Sequence, residues 1–150
     1  MVQLRWPRHR SSYLTSFCCP PNVLRTIAGA GTMAYGVTAR GVVVNLYGAN
    51  RLETRLADGS PIALEQETDY PWGGEILIRV AEAPAAEFSL SLRIPAWARG
   101  ASVSVNGEAA AAAGGAARPA PGSYFEIGRA WRAGDTVALV LPLRPRILLA

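Results

Sequence analysis

Alternation of apolar and polar residues is the feature that most constrains the fold of this chain. In EFSLSLRIP, residues Phe88, Leu90, Leu92 and Ile94 occupy every second position, with polar residues between them. GEILIRV, ASVSVNG and DTVALVLPL repeat the alternation, and GVVVNLYG is an apolar run of strand length. Because successive side chains of a strand point to opposite faces, these segments predict β-strands with one buried face. Short strands separated by turn signals such as NG and GD predict an antiparallel β-sandwich over residues 32–150.

A short helical segment precedes the predicted strands. In NVLRTIAGA, Val23, Leu24 and Ile27 recur at helical spacing, and the glycines at 29 and 31 predict the end of the helix near Ala30. Two prolines before Asn22 suit a helix start, where a missing N–H group costs nothing. A helix this short is marginal alone, so we expect its packing partner in protein upstream of this chain.

Composition and charge exclude several classes of function. The 150 residues suffice for one domain with a core, half of them are apolar, and no apolar run approaches the roughly 20 residues of a membrane span. The net charge is +4, and RWPRHR concentrates three arginines and His9 near the start, well before the first acidic residue, Glu53. This segment could be a nucleic-acid-binding arm, a transit peptide or an interior piece of a larger protein. Since the other arginines form no stripe with interleaved aromatics, we predict neither nucleic-acid nor membrane binding.

The only two cysteines, Cys18 and Cys19, are adjacent in SFCCPPN. They are not expected to bridge each other, because neighbouring Cα atoms lie about 3.8 Å apart and disulfides span about 4.4–6.8 Å. Two adjacent thiols converge only at a turn or a helix start, and a helix N-terminus favours the thiolate. The pair therefore suits a metal site or a nucleophile, with two small buried apolar residues as the plainer alternative. Two ligands cannot complete a zinc site, and His9 alone makes a weak partner for a cysteine.

The segment SFCCPPNVLRTIA resembles the vicinal-cysteine motif of glycoside hydrolase family 127, the β-L-arabinofuranosidase family that also carries the label DUF1680. Similar segments follow in the order that the family shows them. These segments are GVVVNLY, TDYPWGGEILIRV, FSLSLRIPAWA leading into VSVNGE, and YFEIGRAWRAGDTVALVLPL. The resemblance covers nearly the whole chain, and CCPPN is its most specific element.

The resemblance implies an (α/α)6 catalytic barrel followed by β-sandwich domains. Residues 1–31 would then be the C-terminal remnant of the barrel and residues 32–150 a sandwich domain. It also implies a zinc ion held by the two adjacent cysteines, a third cysteine and a glutamate. Cys18 and Cys19 would be zinc ligands, and Cys18 would also be the nucleophile that forms a thioglycosyl intermediate in retaining hydrolysis of β-L-arabinofuranosides or related sugars.

The sequence lacks the rest of the site that this resemblance implies. It contains no third cysteine, and no Asp or Glu precedes Cys18. The remaining zinc ligands and the acid/base glutamate would therefore lie in a missing upstream barrel, and we expect the isolated chain to be inactive. The compartment stays open, although two thiols that cannot bridge each other slightly favour the cytoplasm.

A non-catalytic sandwich, either a carbohydrate-binding module or a brace for a neighbouring domain, is the alternative. Its candidate sugar-stacking residues are Trp72, Trp97, Trp131, Tyr47, Tyr70 and Tyr124. Large aromatic side chains more often close the edge of a core than bind a ligand. Asn22 has two readings of the same kind, since it could contact substrate or cap the helix, and Arg25 could simply be an exposed helix residue.

Overall fold

The computed structural model of this protein describes residues 18–144, which separate into two compact units between Thr32 and Met33. Helix α1 (Cys19–Met33) makes up nearly all of the first described unit. The strands of the second unit are β1 (Tyr35–Thr38), β2 (Gly41–Val44), β3 (Asn50–Arg55), β4 (Pro61–Glu67), β5 (Glu75–Glu82), β6 (Phe88–Ile94), β7 (Ser102–Val105), β8 (Glu108–Ala109), β9 (Ser123–Arg129) and β10 (Thr136–Val140). The predicted fold, mainly β with one short helix, is confirmed.

The strands form two sheets that face each other across one core. One sheet has the order β1-β2-β6-β9 and the other has the order β3-β4-β5-β10-β7-β8. Every neighbouring pair is antiparallel except β2 and β6, which run parallel. This differs from the purely antiparallel prediction, because the chain leaves the first sheet after β2, builds three strands of the second sheet and then returns as β6. A crossover of that length permits parallel pairing.

The parallel pair depends on a close backbone approach at Gly41, the first residue of β2. Its φ is +150°, and a Cβ at this position would lie 2.0 Å from the Ser89 carbonyl oxygen and 2.7 Å from the Ser89 nitrogen. No L-amino-acid side chain fits so close to a neighbouring backbone. Glycine therefore allows β2 to begin directly beside β6.

The apolar residues of the alternating segments line the space between the sheets. Ile76, Ile78 and Val80 of β5 are buried, as are the four apolar residues of β6 that the alternation predicts. They join side chains from both sheets in one continuous hydrophobic cluster. The predicted inward and outward faces of β5 and β6 are therefore confirmed.

Helix α1 is longer than predicted at both ends. It begins at Cys19, so Pro20 and Pro21 lie within its first turn, where backbone N–H groups have no helical acceptor. Gly29 and Gly31 lie inside the helix, and the prediction that they end it is wrong. A glycine in a helix interior costs only about 1 kcal/mol relative to alanine, which is too little to force an end. Among the described residues, no helix has the length and apolar character needed to cross a membrane.

Candidate active site

The two cysteines lie at the N-terminal end of α1. The Asn22 backbone N–H donates a hydrogen bond to the Cys18 carbonyl at 3.3 Å, so the helical hydrogen-bond pattern starts at Cys18. No acidic residue occupies the first turn. Because Pro20 and Pro21 carry no backbone N–H, the positive end of the helix dipole is the main feature here that favours a negative charge on sulfur.

The expected convergence of the two thiols is confirmed. The Sγ atoms of Cys18 and Cys19 lie 3.6 Å apart, and both residues are exposed. This distance is far longer than the roughly 2.05 Å of a disulfide bond. Two thiolates bound to one tetrahedral zinc ion, each about 2.3 Å from the metal, would lie about 3.8 Å apart. The pair therefore has nearly the separation that two ligands of the same zinc ion require.

A tetrahedral zinc site needs four ligands, and the cysteine pair would supply two of them. Within residues 18–144, no group of three or more His, Cys, Asp or Glu side chains is arranged to hold a metal ion. His9 lies outside the described residues. The first glutamates after the cysteines belong to the sandwich, where Arg51 forms ion pairs with Glu53 and Glu65. We assign these carboxylates no role at the cysteine pair.

The apolar side chains of α1 are exposed, as are its two cysteines. Val23, Leu24 and Ile27 are 57%, 67% and 68% exposed, and the helix buries none of its residues. A helix of 15 residues is marginally stable in water unless its apolar side packs against other protein. These exposures agree with the expectation that the helix needs a packing partner.

The family profile of the β-L-arabinofuranosidase GH127 middle domain matches residues 41–143, which is most of the chain. This chain belongs to glycoside hydrolase family 127. The matched range covers the strands from β2 to β10, and the cysteine pair precedes it.

Solved structures of glycoside hydrolases, two of them GH127 proteins, resemble the chain over most of its length. A structure titled as a glycoside hydrolase is 42% identical over 93% of this chain, with a TM-score of 0.82. Ara127N-Se, a GH127 β-L-arabinofuranosidase from Geobacillus stearothermophilus T6, is 40% identical over 83%, with a TM-score of 0.74. The GH127 β-arabinofuranosidase BT3674 is 34% identical over 83%, with a TM-score of 0.72. This chain spans only 22%, 19% and 21% of those chains, about a fifth of their length. A search of curated proteins finds no match.

Two of the candidate sugar-stacking residues of this GH127 sandwich are core residues. Trp131 is 2% exposed, and its Nε1 donates a hydrogen bond to the Phe88 carbonyl at 3.0 Å. Tyr47 is 9% exposed, its hydroxyl donates to the Arg93 carbonyl at 2.7 Å, and its ring meets that of Tyr70 edge-on. Neither Trp131 nor Tyr47 presents a face to a ligand. The exposed candidates are Trp72, Trp97 and Tyr124.

Asn22 and Arg25 interact with each other on the surface of α1. Nη1 of Arg25 donates a hydrogen bond to Oδ1 of Asn22 at 2.9 Å. The capping role considered for Asn22 is wrong, because the helix starts three residues earlier and Asn22 lies within its first turn. Arg25 is exposed, as predicted for a residue on the helix surface. Contact of Asn22 with a substrate stays a prediction.

Sequence reasoning missed a polar cluster at one end of the sandwich. Nε2 of Gln66 donates to the Tyr35 hydroxyl at 2.6 Å, and that hydroxyl donates to Oδ1 of Asn50 at 2.6 Å. Burial raises the pKa of Tyr35 above its ordinary value, so the phenol stays neutral. No local sequence signal reveals such a cluster, since its members come from three different strands.

Proposed function

We propose that this chain supplies the nucleophile and half of the zinc site of a longer, retaining GH127 β-L-arabinofuranosidase. The observation that carries the proposal is the 3.6 Å separation of the Cys18 and Cys19 sulfur atoms at the start of a helix. Membership of the family and the similarity to two solved β-arabinofuranosidases support the substrate class. Residues 1–31 would belong to the C-terminal part of a catalytic barrel, as the sequence resemblance implies.

In the proposed reaction, the Cys18 thiolate attacks the anomeric carbon of the sugar. A carbon–sulfur bond forms while the bond to the leaving-group oxygen breaks, and a general acid outside this chain protonates that oxygen. In the second step, water attacks the same carbon, gives its proton to the same outside group and displaces the Cys18 sulfur. Two displacements at one carbon give net retention of configuration.

Cys18 and Cys19 would hold the zinc ion together with ligands from outside this chain. Bound zinc would keep both sulfur atoms deprotonated and lower the basicity of the Cys18 sulfur, which makes it a better leaving group in the second step. The exposure of both cysteines agrees with a site that is completed by other polypeptide. Since two ligands and the acid/base group would be missing, we expect the isolated chain to be inactive.

The experiment uses the full-length protein and two single substitutions. We expect Cys18→Ser to lower kcat for an aryl β-L-arabinofuranoside on the order of 10³-fold or more, because the nucleophile is lost. We expect Cys19→Ser to lower both activity and the zinc content measured by elemental mass spectrometry. Thr26→Ser, a conservative change on the same helix, should leave both unchanged. Undiminished hydrolysis by the Cys18→Ser protein, or an active full-length protein without zinc, would contradict the proposal.

A further inference from the structure

The two sheets share an end that can be identified from their registers. One edge of the first sheet is formed by the start of β1, the ends of β2 and β6 and the start of β9. One edge of the second sheet is formed by the start of β3, the end of β4, the start of β5 and the end of β10. The hydrogen bond from Gln66 in β4 to Tyr35 in β1 joins these two edges. They therefore belong to the same end of the sandwich.

This end carries most of the exposed large apolar side chains of the described sandwich. We call it the aromatic end and define it by Leu46, Trp72, Trp97, Tyr124, Val140 and Leu143. Each of these residues is at least 38% exposed, and Trp72 is 89% exposed. Exposed apolar side chains are ordinary when they are scattered singly, but a group collected at one end of a domain is typical of an interaction surface.

The opposite end of the sandwich has a different character. Its connections are short and lie at residues 39–40, 56–60, 83–87, 106–107 and 132–135. None of the exposed large apolar residues described for this sandwich lies in those connections. Asp135 at this end accepts hydrogen bonds from the Asn106 amide and the Arg132 backbone. Most exposed large apolar side chains of the described sandwich therefore lie at the aromatic end, and none lies in the connections of the opposite end.

Three hydrogen bonds hold the loop that contains Trp72. The hydroxyl of Thr68 donates to the Glu75 carbonyl at 2.5 Å and accepts from the Tyr70 N–H at 3.0 Å. The Trp72 N–H donates to the Asp69 carbonyl at 3.0 Å. The backbone of this loop therefore has little conformational freedom to lose on binding, and tryptophan is among the residue types enriched in binding hot spots.

A buried polar atom without a partner lies beneath the same end. Gln66 is 2% exposed, and its Oε1 accepts no hydrogen bond from any described residue. Leaving such an acceptor unsatisfied costs about 1–3 kcal/mol. Its position near the end of β4 places this unsatisfied acceptor at the same end of the sandwich as the exposed apolar side chains.

The polypeptide both enters and leaves the sandwich at the aromatic end. The Ala34 carbonyl, just before β1, accepts hydrogen bonds from the N–H groups of Asn45 and Leu46. Just after β10, the Leu141 N–H donates to the Gly74 carbonyl in the Trp72 loop. Protein that flanks the sandwich in a longer chain would start from this end on both sides.

We infer that the aromatic end is the docking surface for a neighbouring domain of the same longer polypeptide, with Trp72 as its anchor. The inference rests on the proposed function to the extent that both require a longer protein, such as the similar structures of which this chain spans about a fifth. A sugar ligand would use the aromatic faces but not the aliphatic side chains of Leu46, Val140 and Leu143. A protein surface buries both kinds, so the composition of this end favours a domain over a glycan.

Hydroxyl-radical oxidation mapped by mass spectrometry tests the inference, with the full-length protein compared to the 150-residue chain. We expect oxidation of Trp72 to fall roughly tenfold in the full-length protein, because a side chain at an interface core is almost fully buried. Trp131, already buried in the sandwich, should be protected in both and serves as the control. Equal oxidation of Trp72 in both proteins would overturn the inference, as would a reading frame that encodes only this chain. Protection of Trp72 in the 150-residue chain by an arabino-oligosaccharide alone would overturn it in favour of a sugar site.

Substitutions provide a second measurement that does not depend on labelling. Trp72→Ala should lower the melting temperature of the full-length protein and leave that of the 150-residue chain unchanged. Arg40→Ala, at the opposite end, should change neither. An equal effect of Trp72→Ala in both proteins would contradict docking. Hydrolysis assays on the same full-length protein separate the two proposals. Protection of Trp72 from oxidation without hydrolytic activity would refute the proposed function alone. Hydrolytic activity without protection of Trp72 would refute the docking alone.

Discussion

Replacement of Trp131 by alanine tests whether this residue is a core residue. The indole is 2% exposed, and its ring centroid lies 6.2 Å from that of Phe88. Its Nε1 donates to the Phe88 carbonyl, and the Arg129 guanidinium lies 5.3 Å from the ring centroid. The substitution removes all of these contacts and leaves a cavity between the sheets.

The size of the effect follows from this burial. Replacing a buried tryptophan by alanine costs about 3–5 kcal/mol, a large share of the roughly 5–15 kcal/mol that stabilises a typical domain. For a domain of this size, 1 kcal/mol shifts the melting temperature by roughly 4 °C, so we expect a loss of roughly 12–20 °C. Trp131→Phe keeps most of the packing but loses the hydrogen bond, and should cost about 1–2 kcal/mol.

Urea unfolding of the 150-residue chain, followed by far-ultraviolet circular dichroism, measures these free energies. Trp72→Ala is the matched control, because its side chain is 89% exposed and its loss should change the free energy of unfolding by less than about 0.5 kcal/mol. A cost below about 1 kcal/mol for Trp131→Ala, or an equal cost for Trp72→Ala, would refute the assignment of Trp131 to the core.

Two further predictions concern stability. Gly74→Ala should destabilise the sandwich strongly in urea unfolding, because a Cβ there would lie 1.9 Å from the Leu141 carbonyl oxygen. Gly48→Ala is the control and should be tolerated, because a Cβ at that position would have no atom within 4 Å. Equal losses of unfolding free energy in the two variants would contradict this prediction. The hydrogen bond from the Asn106 amide lowers the pKa of Asp135 below its ordinary value, so Asp135 contributes stability that is present above its unfolded-state pKa and lost as the pH falls through its folded pKa. Asn106→Gly, which tolerates the φ of 52° at this turn, should therefore destabilise the chain more at pH 7 than in strong acid, and a pH-independent difference would refute the linkage.

The candidate site shows which of its features can be predicted from neighbouring residues in the sequence. Adjacency of Cys18 and Cys19 before two prolines is enough to predict thiols that converge at a helix start, because it depends only on neighbouring residues. The ends of α1 were predicted less well, since its glycines and prolines affect helix formation by small energies that the rest of the helix outweighs. Under the proposed function, the other zinc ligands would come from outside this chain, and no local pattern within it predicts them.

Local sequence patterns are enough to predict the β-rich class, the inward faces of β5 and β6 and the Asn106-Gly107 turn. These features follow from side-chain alternation and backbone preferences within a few residues. Long-range packing sets the parallel pairing of β2 with β6, the burial of Trp131 but not Trp72, and the grouping of most exposed apolar side chains of the sandwich at one end. Those outcomes depend on which distant segments meet, and residues with the same local pattern become core or surface according to the partners that the fold brings to them.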